Sequence, residues 1–298
     1  MDTLFSIIFI YIFILLGFLA KSIFKERIDS KTLTIMSVYF MQPFVTLWGF
    51  SISKLELKHL EVTAIYLAII FILLIPTIFL AKAIFSDKKE RSIFTIAGFV
   101  GNTGNIGIPL GIILFGQESA IYTTLINLAN VFVIYGLGVY IYSRGSFSIK
   151  NSLFNIIKIP IIPAALVAIT INLLDISMPS QINKLLQMGA YSGIVLQLFL
   201  LGTFLESIKI RQINKKLYSG VIFQKFILIP VATFFILDFL TIDSYVKNII
   251  LMQMITPLAV ANINLASLYD CKPKDVTNLI FISTMLFIFV LYIFKGVI

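Results

Sequence analysis

From residue 3 to residue 296 the chain is a succession of apolar runs about 20 residues long, cut apart by short charged or polar breaks. Wound as a helix, such a run spans the hydrocarbon core of a bilayer. Ten runs can be counted, at 3–20, 33–52, 61–84, 92–116, 119–143, 152–174, 185–207, 217–240, 244–268 and 276–296. The expected fold is therefore an all-α polytopic membrane protein with ten transmembrane helices. Composition agrees, since charged residues make up 12% of the chain against about 25% in soluble domains.

The net charge of +9 has no arginine-rich face or aromatic-basic interleaving behind it. Nucleic acid is therefore excluded as a partner, and the lipid bilayer is the expected one. A single cysteine, Cys271, rules out an internal disulfide, and a single histidine, His59, rules out a histidine-rich metal centre. One His, one Cys and peripheral acids assemble no nucleophile–base pair, so an enzyme is not expected and no cofactor is called for. The N-terminus is apolar at once, without a basic leader or a small-residue cleavage site. It reads as a retained first span.

Lysine and arginine placement orients the spans. Sixteen of the 23 basic residues fall in the breaks at 21–31, 82–91, 144–150, 209–216 and 272–274, and five fall on the other side. The first side is expected in the cytoplasm of a cell-membrane protein, with both termini outside. The break at 143–152, "SRGSFSIKNS", divides the chain into residues 1–143, a cytoplasmic linker at 144–151, and residues 152–298. Each half holds five spans. An odd number makes the second half run upside down relative to the first, as in an inverted repeat. "LIPT" at 74–77 in the third span is echoed by "LIPV" at 228–231 in the eighth, and Pro109 in the fourth by Pro257 in the ninth.

The fourth span carries its helix breakers at mid-membrane. Gly98, Gly101, Gly104, Gly107 and Gly111 stand beside Asn102, Thr103, Asn105 and Pro109. The ninth span has Thr256, Pro257, Asn262 and Asn264 at the same depth. A break there frees backbone groups that persist only where protein, water or ligand meets them. Proline suits the first turn of the half-helix that follows, and the N–H groups behind it favour an anion such as a carboxylate. A stripe of small residues for close helix packing would explain the glycines. It would not explain Asn102, Thr103 and Asn105, nor a second broken span at matching depth.

On these residues the chain resembles the auxin efflux carrier family, which includes bacterial and archaeal carriers of malonate-type acids and is akin to the PIN-type auxin carriers of plants. "GNTGNIGIPLG" at 101–111 matches the family's first crossover, and "TPLAVANINLASLY" at 256–269 resembles the second, with Pro257 twelve residues before Tyr269. The resemblance implies two inverted five-helix repeats in a fold like that of the bile acid and sodium symporters. Spans 1, 2, 6 and 7 would form a scaffold, and spans 3–5 and 8–10 a transport part. Helices 4 and 9 would be broken and would cross at the substrate. It also implies homodimerisation. Family members often carry proline about seven residues before the glycine that is Gly202 here, and this chain has Val195 in that place.

The expected function is secondary active transport of a small organic anion, a mono- or dicarboxylate, by alternating access. The expected binding residues are Asn102, Thr103, Asn105, Gly107, Pro109, Thr256, Pro257, Asn262 and Asn264. A non-transporting sensor or assembly subunit on the same fold stays open, as does an anion channel. Neither broken span holds an acidic residue between Arg91 and Glu118 or between Lys247 and Asp270. Sodium coupling through neutral oxygens, proton coupling and uncoupled export all stay open, and no metal ligand is assigned. Glu206 and Lys225 read as snorkelling groups or a structural pair before a gate. Asp175, Asp238 and Asp243 read as solvated, and Trp48 as part of an aromatic belt. The direction of Gln42 is open between substrate contact and a helix kink.

Overall fold

The computed structural model describes residues 2–52, 54–143, 159–206 and 214–295. The expected linker at 144–151, Lys158 and the side chain of Glu206 lie outside the described residues. The helices are α1 (Asp2–Phe24), α2 (Ser30–Ser51), α3 (Leu57–Ile84), α4 (Lys88–Ile96), α5 (Thr103–Phe115) and α6 (Ser119–Tyr142). They continue with α7 (Ile161–Leu173), α8 (Ser180–Glu206), α9 (Lys215–Asp238), α10 (Ser244–Ile255), α11 (Ala261–Leu268) and α12 (Pro273–Lys295). Among the described residues there is no strand, and six helices (α2, α3, α6, α8, α9 and α12) are long and apolar enough to cross a membrane. The protein is thus a helical, multi-pass membrane protein. The runs at 92–116 and 244–268 are each split in two, into α4 and α5 and into α10 and α11.

The chain forms two compact units. The first comprises Met1–Leu60, Gly104–Leu128 and Asn155–Ile208, and the second Glu61–Thr103, Ala129–Phe154 and Lys209–Ile298. Each therefore draws on both halves of the sequence.

In the first unit α1 lies on α8 through two glycines. A Cβ on Gly17 would fall 1.9 Å from the Phe199 carbonyl oxygen, and one on Gly202 would fall 1.9 Å from that of Ile14. Only glycine lets two helix backbones come that close. α8 passes Val195 as continuous helix. It packs on α2, where Phe44 fills the space beside Gly189 and Met41 and Val45 that beside Gly193. The Gln197 amide donates to the Gln42 side-chain oxygen. That hydrogen bond settles the direction of Gln42: it faces α8. Trp48 is buried, 4% exposed, with its ring 5.1 Å from that of Tyr191. It is a core residue, and the aromatic-belt reading is corrected. An indole at a span end has the same sequence signature in either place. Asn172 ties α7 to the end of α2, donating to the Phe50 carbonyl at 2.7 Å and accepting from the Leu55 N–H at 2.7 Å. Asp175 pairs with Lys54 at 2.6 Å, both well exposed.

In the second unit one polar cluster joins the α3–α4 and α11–α12 turns. Lys272 pairs with Asp87 and Glu90, each at 2.6 Å, and Asn214 donates to Glu90 at 2.7 Å. Asp87 also caps α4 by accepting from the Lys89 N–H at 2.8 Å. The hydrogen bond from Lys272 holds the Asp87 carboxyl below its usual range. Burial works against the Lys272 charge, but its bonds to Asp87 and Glu90 outweigh that and raise it. A depressed carboxyl stabilises above its unfolded value, and a raised amine stabilises below its own. The cluster is thus fully effective between about pH 4 and pH 10. Lys272→Met should lower stability slightly in that window, by about 1 kcal/mol or less because the groups are partly screened by water, and the melting temperature should fall with it. The difference from wild type should shrink below about pH 4 and above about pH 10. A gap that stays constant across the titration would mean that the pairing carries no stability.

Candidate functional site

Both breaks follow from local chemistry. Pro ahead of a helical residue disfavours its α conformation, so Pro257 drives Thr256 to φ −53°, ψ 143° and ends α10 at Ile255. α4 ends at Ile96, with residues 97–102 non-helical, before the chain rewinds in a wide π-turn at Thr103–Gly107. Pro109 then sits in the first turn of the α-helical stretch Ile108–Phe115, where a missing N–H costs little. The first break therefore lies about one turn before the expected midpoint at Gly104.

Within the second unit the two broken stretches pair with each other. Gly101 stands antiparallel to Leu258. The Asn102 N–H donates to the Pro257 carbonyl at 2.7 Å, and the Ala259 N–H to the Val100 carbonyl at 2.9 Å. Each stretch thereby supplies what the other lost when its helix stopped, as buried backbone requires. Side chains complete the account. Asn130 on α6 donates through Nδ2 to the Gly101 carbonyl at 2.8 Å and to Thr103 Oγ1 at 3.0 Å. Asn262 donates to the Val100 and Ala259 carbonyls at 3.1 Å each, and its Oδ1 accepts from the Tyr142 hydroxyl at 3.0 Å. Ser283 on α12 accepts from the Leu258 N–H at 3.2 Å. Lys225 on α9 donates from Nζ to the Gly98 carbonyl at 2.9 Å. A Cβ on Gly101 would fall 2.6 Å from Thr256 Oγ1 and 3.1 Å from Lys225 Nζ, so any other residue there would have to displace both side chains.

Other polar atoms beside the paired breaks are buried without a partner: Asn102 Nδ2, Asn130 Oδ1, and both amide atoms of Gln253 and of Gln224. Each such atom costs about 1–3 kcal/mol, so their clustering beside one structural feature suits a polar ligand. Lys225 is 2% exposed, and among the described residues no carboxylate pairs with it. It does not snorkel; its ammonium is drawn inward by the carbonyl that the first break leaves free. Among the described residues no three or more His, Cys, Asp or Glu side chains gather. A metal ion here would have only neutral oxygens such as Asn130 Oδ1, Gln253 Oε1 and Gln224 Oε1.

Of the residues expected at the site, Asn102, Thr103, Thr256, Pro257 and Asn262 come together in this unit. Thr256 Oγ1 donates to the Gln253 carbonyl at 2.7 Å, and the Asn262 amide is fully engaged in bracing, so both serve the break itself. Asn264 is exposed on α11. Asn105, Gly107 and Pro109 belong to the first unit, with Asn105 half-buried and Gly107 and Pro109 buried. Asn130, Gln224 and Gln253 were missed. Their signal was present as amides inside apolar runs, "NLAN" at 127–130 and "LMQM" at 251–254.

Comparison with known proteins adds the family. A family model described as membrane transport protein matches residues 2–295. An uncharacterized transporter of Methanocaldococcus jannaschii is 26% identical over 291 residues, which cover 93% of each chain. The match runs through both breaks and the helices that brace them, and so the chain belongs to the membrane transport protein family, the auxin efflux carriers that its fourth-span motif resembles.

Proposed function

We propose that the protein is a secondary carrier of a small organic anion, a mono- or dicarboxylate, working by alternating access in the cell membrane. The observation that carries this reading is the pairing of the two breaks with a buried, uncompensated Lys225 ammonium and an unpartnered Asn102 amide donor beside them. A carboxylate offers what both lack, a negative charge and several acceptor lone pairs. The Gln253 amide nitrogen is a further unpartnered donor that can turn toward the ligand.

Ten spans in two inverted five-helix halves, 1–143 and 152–298, would place the broken helices 4 and 9 at one depth. The drawing of each compact unit from both halves of the chain supports a two-part carrier in which one part moves against the other. Both termini would then be extracytoplasmic, and the carrier a homodimer. The coupling ion is sodium, a proton or none, and the binding assay below separates sodium from the rest.

The test is the melting temperature of purified protein against a panel of mono- and dicarboxylates, each with and without sodium. A ligand that binds only the folded state raises it. One acid class should do so, and Asn102→Ala should remove the shift while leaving the ligand-free melting temperature within a few degrees. If no acid shifts the wild type in either salt, the anion reading fails and the non-transporting alternative leads. Retained affinity in Asn102→Ala would move the site away from the paired breaks.

A further inference from the structure

A cavity of about 370 Å³ in the second unit, lined among others by Ile78, Lys82, Arg91, Thr95, Tyr140 and Ile141, lies away from the paired breaks. Its walls are the C-terminal turns of α3 and α6 and the middle of α4. Both helix ends belong to the side that lysine and arginine counting places in the cytoplasm. Lys82 sits one turn nearer the end of α3 than Ile78, so cations rim the groove and aliphatic side chains line it deeper in.

The cations are available. Lys82 is exposed, with its ammonium 5.9 Å from the centre of the Phe79 ring, and among the described residues it has no acidic partner. Arg91 donates from Nε to the Phe85 carbonyl at 2.6 Å. That bond fixes the guanidinium and leaves its terminal N–H groups, a fork suited to two oxygens of one phosphate. Among the described residues no carboxylate lines the groove. Ser92 and Thr95 turn their hydroxyls to helix carbonyls, at 3.1 and 2.7 Å, so neither competes for the cations. Tyr140 is exposed and adds a hydroxyl donor. Beside the groove α3 exposes Ile75, Phe79 and Leu80, an apolar surface for acyl chains.

We propose that this groove binds an anionic phospholipid, its phosphate between Lys82 and Arg91 and its acyl chain along α3. Basic pockets between helix ends on the cytoplasmic side are where anionic headgroups bind. The proposal rests on the membrane class of the protein and not on the transported solute.

The test uses delipidated full-length protein titrated with phosphatidylglycerol, phosphatidylcholine or inorganic phosphate. Melting temperature and lipid retention by native mass spectrometry are the readouts. Phosphatidylglycerol should raise the melting temperature more than phosphatidylcholine, and inorganic phosphate should not. In the Lys82→Gln/Arg91→Gln protein the two lipids should become equivalent, with affinity for phosphatidylglycerol down roughly fivefold per cation removed. If loss of the Arg91–Phe85 bond prevents folding, Lys82→Glu alone must weaken phosphatidylglycerol binding. An unchanged lipid preference in a folded variant overturns the proposal. So does a full shift from inorganic phosphate, which would make the groove a free-anion site.

Discussion

Gly202→Leu should leave no monodisperse protein after solubilisation, and Gly202→Ala should already cost more than about 3 kcal/mol. The obstacle is backbone. A Cβ at 202 would stand 1.9 Å from the Ile14 carbonyl oxygen and 2.7 Å from the Phe18 nitrogen, and α1 cannot yield locally without losing its own hydrogen bonds. The two helices must part, and the seam that buries Ile14, Leu198 and Leu201 opens with them. Gly17 makes the reciprocal approach to Phe199, so Gly17→Ala should be of comparable severity. The control is Gly136→Ala, where an added Cβ meets nothing within 4 Å. Its melting temperature should stay near wild type. Size-exclusion profiles and melting curves read all four variants. A monodisperse Gly202→Leu protein with a wild-type melting temperature would show that the seam between α1 and α8 is not held by close backbone approach.

How much of this was legible in the sequence depends on how local the cause is. The apolar runs announced the membrane class, because run length and composition act without partners. The second break was legible to the residue: Pro257 acts on Thr256 alone and ends the helix there. The first was legible as a region only. Gly98, Gly101 and Gly104 permit a break without forcing one, and its position was decided by the stretch 256–260, about 155 residues away, which offered carbonyls and N–H groups to Val100 and Asn102. The bracing was less legible still. That Asn262 would be fully engaged depends on Tyr142, and that Lys225 would turn inward depends on the carbonyl of Gly98; neither partner is near in sequence. Trp48 failed for the opposite reason, since its type and position fit both a lipid interface and a core, and only Tyr191 across the seam separates them.

Lys225→Met should abolish carboxylate binding while leaving the melting temperature unchanged or higher. In the ligand-free protein the ammonium is fully buried and reaches one carbonyl, that of Gly98, with no carboxylate pairing it among the described residues. Burying a charge on so few partners costs several kcal/mol. Methionine fills nearly the same volume with a flexible apolar chain and removes that cost. The Gly98 carbonyl loses a hydrogen bond, at about 1–3 kcal/mol, which offsets part of the gain. On the proposed function, that cation is kept for a buried ion pair with the carboxylate substrate. Losing one partner of such a pair costs about 2–5 kcal/mol or more, so affinity should fall at least about thirtyfold. Stability and binding must therefore separate. A variant that melts lower yet binds the acid as tightly as wild type would make Lys225 a structural brace for the first break, and the anion would have to be held by the amides of Asn102 and Gln253 alone.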